Sequence, residues 1–410
     1  SQSFPCLWIS ILFLKLILLM HEDRRMSPTG MKRRKSAPPT AFERASRQPL
    51  MLGLFMPHQE GAWSPSRAPR KTSWDFEYNA KCARKADRLG FDILFALAQW
   101  MGKGGYGGDI NFRENTLDPF ITSAGLAPIT KNALLIATVH ILYGWHPLHL
   151  AKYGAVIDHM SGGRWGLNVV TGYKESEFRM FGLKPIKHDQ RYAMASEFTT
   201  IMRRLWSEDE ELTFKGKWWQ TEGAYVAPKP VNRSVVMVNA GSSPAGIDYA
   251  TDHSDIIFVT SPGGADPVDA CRTLPAHIKK IRQSARAKKR RIKIMINPHV
   301  ICRETEKAAR AQYQRILDQR DQVAVDNFVA TFMGGDQSSW KGHSPDNWAV
   351  GGNVHLVGTP EQIVDWFIKL KRAGCDGMQI NFYDFLPDLD FFGKRVMPLL
   401  YQEGLRIDAA

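Results

Sequence analysis

A chain of 410 residues is too long for one small core and fits one large α/β domain or two modest ones, and its 44% apolar and 23% charged content is that of an ordinary soluble protein. The net charge of +13 is not a nucleic-acid signal: residues 1–50 hold nine Lys and Arg against three Asp and Glu, so +6 of it sits there, and no basic stripe with interleaved aromatics follows. Five cysteines (Cys6, Cys82, Cys271, Cys302 and Cys375), an odd count without a C-x-x-C pair, exclude a disulfide framework and a zinc knuckle and point to a reducing, cytoplasmic compartment.

Residues 1–48 read as a disordered or non-native extension. Leu7 to Met20 (LWISILFLKLILLM) is apolar apart from Ser10 and Lys15. It is too short for a transmembrane helix and lacks the basic n-region and small-residue cleavage site of a signal peptide. The basic, Pro/Ser-rich MKRRKSAPPT that follows reads as disordered, so a start at Met26, Met31 or Met51 is expected. A membrane anchor is the alternative reading.

Residues 49–410 form the expected functional domain. From Leu50 onward a short apolar run, a polar loop and an amphipathic helix recur. Strands are predicted at 50–56, 91–97, 133–139, 165–170, 235–241, 255–261, 292–302 and 377–382. Helices are predicted at 74–89, near 117–128, from His146-Pro147 and at 188–206. Continuous apolar runs suit buried parallel strands. Eight such steps point to a (β/α)8 TIM barrel with insertions at about 207–234 and 320–353. The second insertion carries GGDQSSWKGHSPDNWAVGG and reads as a lid. An open doubly wound sheet is the runner-up, weakened by the lack of a G-x-G-x-x-G after the first strand.

In such a barrel the site lies at the C-terminal strand ends. His58, Gln99-Trp100, Thr138, His140, Asn168, Thr171, Ser242-Ser243, Thr260-Ser261, Asn297 and His299 fall there. Each alone also reads as a satisfied core group; their convergence points to a ligand. Asn168, inside SGGRWGLNVVTG, needs a hydrogen-bond partner wherever it is buried. AGSSPAG (240–246) ends a strand and opens a helix with two hydroxyls, which suits a phosphate as well as ordinary capping. Arg191-Tyr192 could join the same anion. GKGGYGGD (102–109) lacks the Lys-Ser/Thr of a P-loop and reads as a flexible loop. No histidine pair comes with a placed carboxylate, so no metal is expected. No G-x-S-x-G appears.

DHMSGGRWGLNVVTGY (158–173), EFRMFG (177–182), HDQRY (188–192), NAGSS (239–243), VGTPEQIVDWFIKLKRAGCDGMQINF and FFGKRVMPLL resemble the bacterial-luciferase-like flavin monooxygenases, from Leu50 to Leu405. The similar branch holds alkanesulfonate, dimethylsulfone, pyrimidine and alkane monooxygenases and riboflavin lyase. The resemblance implies a TIM barrel using reduced FMN (FMNH2), delivered by a separate NAD(P)H:flavin reductase, with O2 as cosubstrate. It implies that Asn168 bonds the flavin ring and Glu177 the ring or ribityl chain. Arg191, Tyr192, Ser242 and Ser243 would serve the phosphate and ribityl chain. Ala98 and Gln99 would form the backbone edge beside the isoalloxazine, and Thr138 would be the strand-three hydroxyl. Arg164 would pin the SGGR turn.

Alkanesulfonate monooxygenases carry an Arg where this chain has Asn297, and another where it reads AVGGNVH. The substrate expected here is therefore neutral: a sulfone, alkane, pyrimidine or flavin-like ring. Trp100, Trp145, Tyr106 and Tyr143 read equally as an aromatic wall for a planar or apolar substrate and as core packing at the barrel rim. His140 and His299 are the candidate donors or bases, with Trp100 beside them and His58 a weaker candidate. A homodimer or homotetramer is expected. The competing readings are a deazaflavin-dependent hydride-transfer enzyme and a non-catalytic FMN-binding protein.

Overall fold

The computed structural model describes residues 38–333, 344–352 and 354–408. Twelve strands run among them: β1 Met51–Phe55, β2 Ile93–Ala96, β3 Leu134–His140, β4 Trp165–Val170, β5 Leu212–Lys215, β6 Gln220–Ala224, β7 Val236–Asn239, β8 Ile256–Val259, β9 Lys293–Ile296, β10 Pro298–Cys302, β11 Val354–Gly358 and β12 Gly377–Ile380. Eight close into a barrel in the order β1-β12-β9-β8-β7-β4-β3-β2, every pair parallel. Closure leaves no edge, and this settles the architecture as the TIM barrel rather than the open sheet.

Strand periodicity sorts the side chains into two layers. Met51, Ile93, Phe95, Leu134, Ile136, Val238, Ile256, Phe258 and Met295 pack together inside the barrel. Their alternates, such as Leu52, Leu94, Leu135, Leu167 and Ile294, pack outward in the large core shared with the helices. The inward phase then reaches Thr138 and His140 on β3, Asn168 on β4, Gln379 on β12 and Asn297 just after β9. The interior is thus apolar below and polar at its C-terminal end.

The N-terminal mouth is plugged by a helix at Ala41–Arg47. Thr40 and Glu43 form its capping box, with N–H to oxygen distances of 3.2 and 2.7 Å. Ala41 and Ala45 are buried against Met51, Ile93 and Met295. The Gln48 side chain exchanges two hydrogen bonds with the backbone of Ile407, and Lys293 donates to the Ser46 carbonyl. The expected boundary at residue 48 is corrected here: residues 39–48 belong to the barrel, because small apolar side chains at helical spacing close its floor. The remainder of that expected extension, residues 1–37 with the apolar stretch at 7–20, lies outside the described residues. No helix of the described residues is long and apolar enough to cross a membrane.

The predicted strand at 292–302 is two strands. Pro298 has no N–H for the ladder, and the chain leaves the barrel at Asn297. β10 then pairs in parallel with β11 in a separate two-stranded sheet. The 207–234 insertion is an antiparallel β5–β6 hairpin. The 320–353 insertion contributes helices at Gln322–Met333 and Pro345–Val350, while residues 334–343, most of the expected lid, lie outside the described residues. Arg164 pins the turn before β4 with five hydrogen bonds, to Ser161, Thr130, Ala133 and Ala127.

Candidate active site

A cavity of about 360 Å3 opens at the C-terminal end of the barrel, within the size of a small-molecule site. Its base is aromatic (Phe55, Phe95, Phe258) and its far wall includes Trp63, Phe328 and Trp348. Among the described residues lining it there is no Asp or Glu, whereas Arg113 and Arg191 both reach it.

The β3–β4 wall has a defined polarity. The Thr138 hydroxyl donates to the Ala96 carbonyl at 2.7 Å, and that acceptor takes its one proton. Its oxygen can then only accept from Asn168, whose Nδ2 lies 2.9 Å away. This turns Asn168 Oδ1 toward the cavity, where it is buried and without a partner among the described residues. The polar residue inside the SGGRWGLNVVTG strand therefore presents an acceptor to a ligand N–H.

The β7 end builds a second feature. Asn239 donates to the Val169 carbonyl at 2.8 Å and accepts the Gly241 N–H at 2.7 Å, which shapes the loop. Ser243 caps the helix Pro244–His253, accepting the Gly246 N–H at 3.1 Å. A Cβ at Gly246 would come 2.8 Å from Tyr192 Oη, so the glycine lets this helix start close against Tyr192. Arg191 donates to the Gly172 carbonyl, and its Nε has no partner among the described residues. Ser242, Ser243, Arg191 and Tyr192 all line the cavity. Two hydroxyls, a guanidinium and a helix N-terminus at one place suit a phosphate dianion.

Behind the β3 wall lies a buried ionic cluster centred on Glu177. Its carboxylate accepts from the Tyr143 hydroxyl at 2.9 Å and from the Trp100 N–H at 3.3 Å. His140 Nδ1 lies 3.3 Å from it and Lys174 Nζ 3.4 Å. Burial pushes the Glu177 carboxyl up, but the His140, Lys174 and Tyr143 contacts outweigh it and hold it down at about 2. Burial likewise pushes Lys174 down, yet Tyr173, Tyr106 and Glu177 keep it above the ordinary lysine value. Gly172 sits at φ +76° against the Tyr143 ring, where any Cβ would collide with that ring.

The structure brings Ala98, Thr138, His140, Asn168, Arg191, Tyr192, Ser242 and Ser243 to one cavity. Four expectations are corrected. Glu177 is fully buried and does not line the cavity; its oxygens are consumed by the cluster just described. Gln99, expected to offer its backbone, is not among the lining residues, and its side-chain Oε1 accepts from Arg113 at 3.2 Å. Trp100 is 43% exposed and packs edge-on against Phe181. His299, carried off on β10, is fully buried behind Gly352; burial, with His355 and Arg70 nearby, holds its pKa well below 6.5. Of the two readings of the four aromatics, packing rather than a cavity wall is what the structure has. Tyr106 packs with Phe112 and Phe328, Trp145 packs on Phe120, and Tyr143 points at Glu177. His58 is fully buried, does not line the cavity, and burial lowers its pKa to about 3. Sequence reasoning missed Arg113, Trp63, Phe328, Trp348 and Gln379. Gln379 was available from strand phase; Trp63 and Arg113 sit in loops, and Phe328 and Trp348 on insertion helices whose place over the mouth no local period gives.

The sequence model of the family described as luciferase-like monooxygenase matches residues 51–377. The chain belongs to that family. Among its relatives, this luciferase-like monooxygenase is 32% identical to an FMNH2-dependent dimethylsulfone monooxygenase of Pseudomonas putida, over 86% of this chain and 96% of the relative. It is 30% identical to a pyrimidine monooxygenase of a Bradyrhizobium species, over 87% and 98%. Its fold is similar to that of DmoA from Hyphomicrobium sulfonivorans, with a TM-score of 0.76 at 22% identity over 88% and 90% of the two chains. A riboflavin lyase is as similar, with a TM-score of 0.76 at 24% identity over 87% and 92%. A flavin monooxygenase needs a place for FMN, and the residues present fit one: an orphaned acceptor at Asn168 for a ring N–H, and the Ser242-Ser243 helix start with Arg191 for the phosphate.

Proposed function

We propose that this protein is the oxygenating component of a two-component system, oxidising or cleaving a C–S, C–N or C–H bond of a small neutral molecule such as a sulfone, an alkane, a pyrimidine or a flavin-like ring. The observation that carries the reading is the single cavity in which Asn168 Oδ1 and the Ser242-Ser243 helix start face the same volume. Reduced FMN, supplied by a partner NAD(P)H:flavin reductase, provides the electrons that activate O2. Ser242, Ser243, Arg191 and Tyr192 hold its phosphate end. Asn168, oriented by Thr138, fixes the ring, and Ala98 offers backbone beside it.

The chain's own part is binding, orientation and exclusion of water. Phe55, Phe95 and Phe258 make an apolar base that keeps bulk solvent from the ring. His140 is the proton-handling side chain: Glu177 faces its Nδ1, leaving Nε2 for a ligand. The charged Glu177 cluster holds this imidazole in one orientation. A cytoplasmic location is part of the proposal. A homodimer or homotetramer, checked by light scattering, remains part of the proposal.

The test is FMN titration followed by reductase-coupled turnover with and without O2. Saturable FMN binding and O2-dependent product formation are expected. Turnover that persists without O2 would move the chain to deazaflavin hydride transfer. Tight FMN retention with no turnover would make it a flavin-binding protein.

A further inference from the structure

The phosphate-suited loop and Asn168 leave one charged group in the cavity unexplained. Arg113 is 3% exposed and lines the cavity. Its guanidinium carbon lies 5.0 Å from the Trp63 ring centre, 4.9 Å from Phe112 and 4.6 Å from Phe328. Nη1 donates to Gln99 Oε1 at 3.2 Å, and Nε has no partner among the described residues. Among the described residues no carboxylate pairs with it. The backbone is set for this placement: Arg113 sits at φ +66°, held by its N–H to the Glu60 carbonyl at 3.1 Å and by the Thr116 hydroxyl on its own carbonyl at 3.1 Å. A non-glycine residue in that region is strained, and such strain gathers at ligand sites.

The electrostatics define what is missing. Three aromatic rings within 5.0 Å of its guanidinium carbon offset part of the buried charge. Rings are only weak acceptors for its N–H groups, and Nε has no partner among the described residues. What remains is a requirement for oxygen acceptors at the edge, in a cavity whose lining offers no carboxylate. A neutral oxo group can meet it through charge-assisted hydrogen bonds.

We propose that Arg113 is the substrate-recognition residue of this site, that it binds an exposed oxo group of the substrate (a sulfonyl or ring-carbonyl oxygen), and that Gln99 is its positioning residue. The proposal rests on the flavin-monooxygenase reading and narrows it: an unsubstituted alkane gives the guanidinium nothing to bond. The clamp lies in the loop after the glycine-rich stretch, not at position 297.

FMN-saturated wild type, R113M, R113K and Q99A are titrated calorimetrically with dimethyl sulfone and with uracil, and each protein is titrated separately with FMN. At least one oxo probe binds the wild type. R113M weakens it ten-fold or more. R113K gives an intermediate loss, because the charge stays while the planar fork goes. Q99A gives a smaller loss, and FMN affinity stays within about two-fold throughout. The proposal is overturned if neither oxo probe binds, if R113M and R113K bind as well as the wild type, or if FMN affinity falls in parallel, which assigns Arg113 to the cofactor. Should R113M fail to fold by circular dichroism, R113K carries the comparison. Failure of the flavin reading itself is distinguishable: wild type would not bind FMN.

Discussion

The two mouths of the barrel are made by the same strands and differ in what their inward side chains leave undone. At the N-terminal mouth, Met51, Ile93, Leu134 and Met295 pack on Ala41 and Ala45, while Lys293 and Gln48 complete their hydrogen bonds on the Ser46 carbonyl and the Ile407 backbone. At the C-terminal mouth, Asn168 Oδ1, Asn297 Nδ2, both amide atoms of Gln379 and Arg113 Nε are buried with no partner among the described residues. Each such group costs about 1–3 kcal/mol if it stays unpaired. A fold tolerates that only where a ligand or ordered water completes the set, so one end serves stability and the other binding.

The largest effect that would sharpen this contrast lies behind the polar mouth. Glu177→Ala leaves the buried Lys174 without its carboxylate, and stability is expected to drop by about 3–5 kcal/mol. Urea unfolding of the variant at neutral pH checks it. The same group sets an acid limit. Glu177 is held at about 2, below the ordinary 4.5, so its contribution is complete above about pH 4.5 and drains away as pH falls toward 2. The amount is on the order of 3 kcal/mol. Urea midpoints measured from pH 5 to pH 2.5 are expected to fall more steeply for wild type than for Glu177→Gln; parallel curves would refute the assignment.

At the apolar mouth, Ala45→Asp places an unpaired carboxylate in the floor. A loss of about 2–4 kcal/mol is expected, with FMN affinity unchanged because the cavity is at the other end. Thermal melting beside an FMN titration separates the two. Asn168→Leu should do the reverse. It removes the cavity acceptor and weakens FMN binding about ten- to hundred-fold, with a smaller change in melting temperature. Flavin fluorescence quenching reads it out. The smallest effect is expected for Trp100→Ala: its side chain packs on Phe181 at the surface, so turnover should change by less than about three-fold. A large loss of kcat in steady-state assays would return Trp100 to the site.

Much of the barrel was legible because its strands are continuous apolar runs, and burial on both faces demands such runs wherever they occur. The phosphate-suited loop was legible for a similar reason: small residues, two serines and a helix start follow one another in the chain, so their proximity is local. Asn168 was marked as a site residue by being polar inside a buried strand. What the sequence by itself could not determine was which polar groups are already spent. Glu177 and Gln99 have the right chemistry and the right neighbourhood, yet their oxygens are taken by Lys174, Tyr143 and Arg113. His299 is two residues past Asn297, but a proline breaks the strand between them and sends it to another sheet. Arg113 and Phe328 are more than two hundred positions apart and meet only when the barrel closes and its insertion folds across the mouth. Local pattern decides what a segment becomes, because strand and helix periods are short-range; which donors and acceptors remain for a ligand is decided only by tertiary structure, because hydrogen bonds are exclusive and their partners are distant in the chain.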